Sequence, residues 1–149
     1  MTSTLRTQVV HNEIQLRHIL KIREEVFIQE QEIPYALEID EHDRLDDPVC
    51  IHFLLIVDGM PAGCARAIDN KNGSIKIQRI AISKNCRKKG YGSFLLKSVE
   101  DHYQSNYYKL SAQEYAIPFY ERNGYQVANE ETYLDADIPH KDMEKKISK

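Results

Sequence analysis

The chain has 149 residues, 42% hydrophobic and 29% charged, with a net charge of −3 and a pI near 6.1. That length suits a single domain over residues 1–149 with a real core, and the charge balance argues against a general nucleic-acid binder, which needs a basic face to neutralise phosphates. No apolar run reaches membrane-spanning length, no signal-like core follows the first residues, and Cys50, Cys64 and Cys86 form no Cys-x-x-Cys pair. The expectation is a cytoplasmic protein with no membrane contact, no disulfide framework and no metal.

Residues 5–10 read as a weak strand. Asn12, with Gln15 three residues on, then reads as a capping box opening a helix whose apolar face is Leu16, Ile19, Leu20, Val26 and Phe27. Arg23 falls inside that stripe, and two readings fit it: a side chain snorkelling at the core edge, or a guanidinium facing a substrate cleft. The helical pattern dissolves over residues 29–34. From 30 to 47 the chain carries eight acidic residues against one Arg, Arg44, which reads as a long acidic loop with room for a short helical turn. Such a run is either a solvated surface or a field that draws a protonated amine towards a cleft.

Residues 50–57 and 62–68 are β-rich and joined by Asp58-Gly59-Met60-Pro61, and 69–73 is a second turn, so three antiparallel strands follow one another. In the third, Ile75 and Ile77 share one parity while Ile80 and Ile82 share the other. A β-bulge near Gln78 and Arg79 produces that slip, and a strand buried on both faces would also excuse it.

Next comes Arg87-Lys88-Lys89-Gly90-Tyr91-Gly92, between the strand at 76–82 and a helix at 91–103 whose inner face is Leu95, Leu96, Val99 and Tyr103. Glycines allow a tight turn and a close approach, and a helix start offers amides with no internal partner, so this junction suits an anion. Three cations there sit unfavourably against the helix dipole, by roughly 0.3–1 kcal/mol each, unless an anion reverses the sign. A P-loop is absent, and a dinucleotide fingerprint would need glycine at Leu95. Residues 108–113 form a strand able to pair in parallel with 76–82. Pro118 opens a short helix closed by Gly124, 125–127 is a strand, and 143–147 is a last strand after a loop at 129–140.

The Arg-x-x-Gly-x-Gly pattern after a strand resembles the acetyl-CoA loop of the GNAT superfamily of N-acetyltransferases, and the order of elements is similar to the GNAT fold over nearly the whole chain. Residues 26–34 (Val-Phe-Ile-Gln-Glu-Gln-Glu-Ile-Pro) and Ile138-Pro139-His140 also look like a group of small bacterial GNAT proteins with mostly unassigned acceptors. The resemblance implies an α/β (α+β) mixed sheet with antiparallel N-terminal strands, a bulged strand splayed from a parallel neighbour at the cofactor site, and flanking helices. It implies acetyl-CoA as cosubstrate, with the strand Ile80, Ala81 and Ile82 offering backbone groups to the pantetheine arm. Arg87, Lys88, Lys89, Gly90, Tyr91, Gly92 and Ser93 would surround the phosphates, and Gln113 and Phe119 would stand beside the acyl arm.

It further implies Tyr120 as the acid that protonates the departing thiolate, although Tyr120 could equally be an aromatic anchor of its helix. A base for the acceptor amine is open among Glu38, Asp40, His52 and His140, of which Glu38 and His140 are carried forward. No Ser or Cys stands in a nucleophile setting, so the expected reaction is direct acetyl transfer to a primary amine of a small molecule or peptide. The alternative is a catalytically silent CoA-binding regulatory module. GNAT proteins are frequently dimers, so the resemblance allows a homodimer.

Overall fold

A computed structural model describes residues 2–147. Strand β1 (Leu5–Val9) leads to helix α1 (Glu13–Arg23), whose start is capped by Asn12 Oδ1 accepting from the Gln15 amide at 2.9 Å. Gln15 Oε1 reaches one residue further back than a capping box requires, to the His11 amide at 2.7 Å. α1 continues without a break into π-helical turns at Glu24–Glu30, followed by the short α2 (Tyr35–Glu38). Strands β2 (Cys50–Val57), β3 (Met60–Asp69) and β4 (Ile75–Ile82) come next, then α3 (Tyr91–Tyr103), β5 (Tyr107–Gln113), α4 (Ile117–Arg122), β6 (Gln126–Val127), β7 (Tyr133–Asp135) and β8 (Ile138–Lys146).

These strands form one sheet in the order β1-β2-β3-β4-β5-β8-β6, with β7 also on β8; the β4–β5 pair is parallel and the others are antiparallel. α3 covers one face, where Phe53, Leu55, Ile75, Ile77, Leu95, Leu96 and Val99 pack with Tyr108, Leu110 and Met143. α1 and its π-helical extension cover the other, with Ile19, Ile22, Val26 and Phe27 against Leu54, Ile56, Cys64 and Ala81. Ile22 rather than Leu20 completes the inner stripe. Among the described residues no helix is long and apolar enough to cross a membrane.

The parity slip in β4 is a bulge. Cys64 pairs with Ala81 but Arg66 with Gln78, leaving an extra residue on β4, and Arg79 has φ +53°. Ile75 and Ile77 before the bulge, and Ile80 and Ile82 after it, therefore pack towards the same face, while Ala81 joins the other. β4 and β5 pair only at Ile75–Tyr108 and Lys76–Lys109, so their C-terminal halves stand apart.

Two segments differ from the sequence reading. The expected loop at 129–140 contains β7 and the first residues of β8, joined through Ala136 (φ +51°) and Asp137 (φ +63°). Neither is the Asn-Gly or Asp-Gly pair that announces such a turn, and Pro139 within β8 speaks against a strand. The acidic run is solvated only in part: Glu32, Glu41 and Asp46 are exposed, while Glu38, Asp40 and Asp43 turn inward to arginines. Arg23, fully buried, neither snorkels nor faces the cleft: its Nε donates to Glu38 Oε1 at 2.7 Å and its Nη1 and Nη2 to Asp43. Arg66, also buried, grips Asp40 through two bonds of 2.7 and 2.9 Å, and its Nη1 reaches Asp43. From the bulge, Arg79 reaches Glu38 Oε2 at 3.1 Å and Asp40 Oδ2 at 3.5 Å.

Burial by itself would raise the Asp43 carboxyl, but hydrogen bonds and charge from Arg23, with Arg66 beyond, pull it down to about 2. A folded value below the unfolded one contributes stability that is complete above the unfolded value, near pH 4, and is lost as pH falls towards 2; the shift corresponds to on the order of 2 kcal/mol. We expect Asp43→Asn, which removes the carboxylate shared by the buried Arg23 and Arg66, to destabilise the protein by about 3–5 kcal/mol at pH 7. Urea unfolding followed from pH 5 to pH 2.5 should show a fall in wild-type stability that is shallower in the variant.

Candidate functional site

The opening between the splayed halves of β4 and β5 is a cleft of about 820 Å³. Its walls include Ile80, Ala81, Ile82, Arg87, Lys88, Gly90, Tyr91, Gly92, Ser93, Gln113, Phe119, Tyr120, Glu38 and His140, so most residues singled out along the sequence converge on one space. Lys89, Asp40 and His52 are not in these walls. His52 is buried beside a separate cavity of about 210 Å³, its Nε2 2.8 Å from the His42 carbonyl, and Asp40 is bound to Arg66.

At one end of the cleft a single 3₁₀ turn, Lys84–Cys86, delivers the chain to the basic turn. Lys88 (φ +65°) and Gly90 (φ +81°) are both left-handed, a conformation glycine adopts without strain and lysine does not. Gly90 is the N-cap of α3 and supplies no side-chain cap, so the first amides of the helix have neither an intrahelical nor a side-chain acceptor. Gly92 serves a different purpose from ligand approach alone: a Cβ there would lie 3.1 Å from Cε1 and Cζ of Phe119. Arg87 is already engaged. Its Nε donates to the Ile82 carbonyl at 2.9 Å, and its two Nη atoms grip the Glu30 carboxylate at 2.9 and 2.7 Å. This pairing, ahead of burial, sets the Glu30 carboxyl below its ordinary range.

In the middle, Tyr120 is half-buried with its ring edge-on to Phe119 (centroids 5.0 Å) and Tyr125 (6.0 Å). Its helix is anchored from behind: the Tyr125 amide bonds the Tyr120 carbonyl, and the Tyr125 hydroxyl donates to buried Glu100 at 2.8 Å. Among the described residues the Tyr120 hydroxyl has no hydrogen-bond partner, and desolvation, with Tyr115 nearby, holds the phenol above its ordinary value. It stays protonated at neutral pH, as a proton donor must.

The far end is polar. Gln113 donates from Nε2 to Gln31 Oε1 at 2.7 Å, joining the end of β5 to the end of the π-helical turns. His140 pairs with Gln113 across β5 and β8, and its Nδ1 lies 2.6 Å from the Ile138 carbonyl. A carbonyl only accepts, so Nδ1 carries a proton, and in the neutral ring the lone pair is on Nε2. The ring stacks on Tyr133 with centroids 6.0 Å apart, and the Tyr133 hydroxyl donates to Asp142 Oδ1 at 2.6 Å and meets Ser111 Oγ. Glu38, also in the wall, has both carboxylate oxygens on guanidiniums, Arg23 and Arg79; burial nonetheless outweighs them and raises its carboxyl. Cys64 is buried in the sheet with its thiol pushed up to about 12, and among the described residues no group of His, Cys, Asp and Glu could hold a metal.

Gln31, Leu37, Arg79, Ser111, Tyr115 and Tyr133 are among the cleft residues and supports that sequence reasoning missed. Arg79 alone carried a signal, its place at the parity slip of β4.

Comparison with known proteins follows this geometry. A family model described as "Acetyltransferase (GNAT) domain" matches residues 35–147. The Bacillus subtilis protein named "Uncharacterized N-acetyltransferase YjcF" is 36% identical over 146 residues, spanning 95% of this chain and 99% of the relative. Among solved structures, Escherichia coli ElaA superposes with a TM-score of 0.80 at 26% identity, covering 96% of this chain and all of that one. An acyl-CoA N-acyltransferase from Pseudomonas aeruginosa superposes with a TM-score of 0.78 at 30% identity, covering 95% and 99%.

Gly92→Ala sets a helix-propensity gain of up to about 1 kcal/mol against overpacking of about 1–3 kcal/mol. Phe119 is wedged against Tyr120, so overpacking should win. The expected outcome in urea unfolding is a net loss of about 1–2 kcal/mol, with shifted aromatic NMR signals from Phe119 and Tyr120.

Proposed function

Because the chain belongs to the GNAT family of acetyltransferases, we propose that it transfers an acetyl group from acetyl-CoA directly to a primary amine of a small molecule or peptide. The observation that carries this reading is the coincidence, in one cleft, of an uncapped helix start behind Arg-x-x-Gly-x-Gly and a tyrosine hydroxyl that has no hydrogen-bond partner among the described residues. The fit to the cosubstrate is chemical: free amides and Lys88 suit phosphates, and the gap between β4 and β5 suits a thin, partly apolar arm.

Bound acetyl-CoA would supply the activated thioester carbonyl. The amides of Tyr91, Gly92 and Ser93, with Lys88, hold the phosphate end, and Ile80, Ile82 and Phe119 wall the arm and keep water away. The Ile82 carbonyl is committed to Arg87, which leaves the bulged Arg79–Ala81 stretch to orient the acyl end. His140 Nε2 takes a proton from the acceptor amine, and Tyr120 gives its hydroxyl proton to the sulfur as the thiolate leaves. His140 suits this better than Glu38, whose oxygens are both held by arginines. Buried Cys64, its thiol pushed up to about 12, is no nucleophile, which supports direct transfer.

Release of CoA across a panel of amines, detected by mass, tests the reaction. At saturating acetyl-CoA we expect Tyr120→Phe to lower kcat by about 10–100-fold with the Kd for CoA within threefold, and His140→Gln to lower kcat by about 100-fold near neutral pH. The His140→Gln loss should shrink as rising pH deprotonates the amine; an unchanged pH profile would reject the role of His140.

Glu30 competes with phosphate for Arg87. A partly exposed pair of this kind is worth roughly 0.2–1 kcal/mol, so Glu30→Gln should tighten CoA binding about two- to fivefold by calorimetry.

A further inference from the structure

Three arginines meet three carboxylates beneath the acceptor end of the cleft, and they are not equivalent. Arg23 and Arg66 are buried and donate bonds as short as 2.5 Å to carboxylates. Arg79 keeps 24% of its side chain exposed, lines the cleft, and makes contacts of 3.1 Å and longer. Its Nε and Nη2 donate to the Glu38 carbonyl, each at 3.3 Å, and Nη2 reaches the Leu37 carbonyl at 3.5 Å. Among the described residues its Nη1 donates no hydrogen bond.

The cluster itself does not supply the negative field that would draw a protonated amine. Glu38, Asp40 and Asp43 balance Arg23, Arg66 and Arg79 charge for charge, and each carboxylate is gripped by a guanidinium. What the cleft receives from the cluster is spare donor capacity on a cation. A guanidinium with an unused Nη1 can donate a charge-assisted hydrogen bond to a carboxylate. The contacts of Nε and Nη2 with Glu38 and Asp40 hold the group in place and fix where Nη1 stands. Beside it Leu37, whose carbonyl lies 3.5 Å from Arg79 Nη2, is 58% exposed and gives the cleft an apolar rim; Tyr115, 75% exposed with its hydroxyl 3.5 Å from Gln31 Nε2, also lines the cleft.

From this we infer that Arg79 is a specificity-determining residue that binds a carboxylate of the acceptor, and that the acceptor is an amine carrying both a carboxylate and an apolar substituent, as an amino acid with an apolar side chain does. The inference rests on the acetyl-transfer reading for the word acceptor, and its test separates the two. Calorimetry compares N-acetyl-leucine with N-acetyl-leucinamide, titrated into the protein alone and with CoA present.

The expected result is at least tenfold tighter binding of the carboxylate, with the gap closed in Arg79→Gln and partly kept in Arg79→Lys. Equal affinities in the wild type, or binding of neither compound, would overturn it, and this comparison decides the matter even if a variant fails to fold. In a parallel arm, CoA release with leucine should exceed that with isoamylamine in kcat/KM by tenfold or more, the difference lying in KM. Absence of turnover with every amine would count against acetyl transfer and leave the binding comparison standing.

Discussion

The cluster of Arg23, Arg66 and Arg79 with Glu38, Asp40 and Asp43 is the constraint on which the functional end of this molecule depends. It joins α1, the segment around α2, β3 and the bulge of β4, elements otherwise separated by long stretches of chain. Burying this much charge is unfavourable by itself, and only near-complete mutual pairing makes it tolerable. The pairing is close to complete for Arg23 and Arg66 and incomplete for Arg79, which is where the cluster meets the cleft. A structural device and a functional surface are thus the same set of side chains, differing in how far each is satisfied.

The bulge turns that cluster into a site. An extra residue in β4 carries its second half away from β5, so two parallel strands that begin as neighbours end as the walls of a cleft. Sheet pairing ends where the cleft needs backbone groups free. The π-helical turns after α1 and the residue that ends them touch both ends: Glu30 holds Arg87 beside the glycine turn and Gln31 holds Gln113 at the other. Both ends of the cleft therefore rest on one short segment.

Much of this was legible along the chain. The alternation of Ile75, Ile77, Ile80 and Ile82 carried the bulge, because side-chain parity is a local property of a strand. Gly90 and Gly92 with the cations before them carried the anion end, because backbone freedom and helix-start amides are local too. Tyr120 and Gln113 were named from family resemblance and His140 by residue type, and the fold brings them to one space. The β7–β8 hairpin was not legible, since Ala136 and Asp137 adopt positive φ under the pull of the strands they join rather than by their own preference.

Sequence alone determined the order of elements as far as β6, the position of the glycine turn and the parity slip in β4, all of which depend on neighbours within a few residues. Only the tertiary structure decided what the charges do. The eight acidic residues from 30 to 47 looked like solvated surface or an amine lure, and the fate of Arg23 within an apolar stripe was open. Which carboxylate meets which guanidinium is set by contacts spanning 15 to 26 residues in Arg23–Glu38 and Arg66–Asp40, and 57 in Arg87–Glu30. Charge pairing has no period along the chain, and so nothing local announces it.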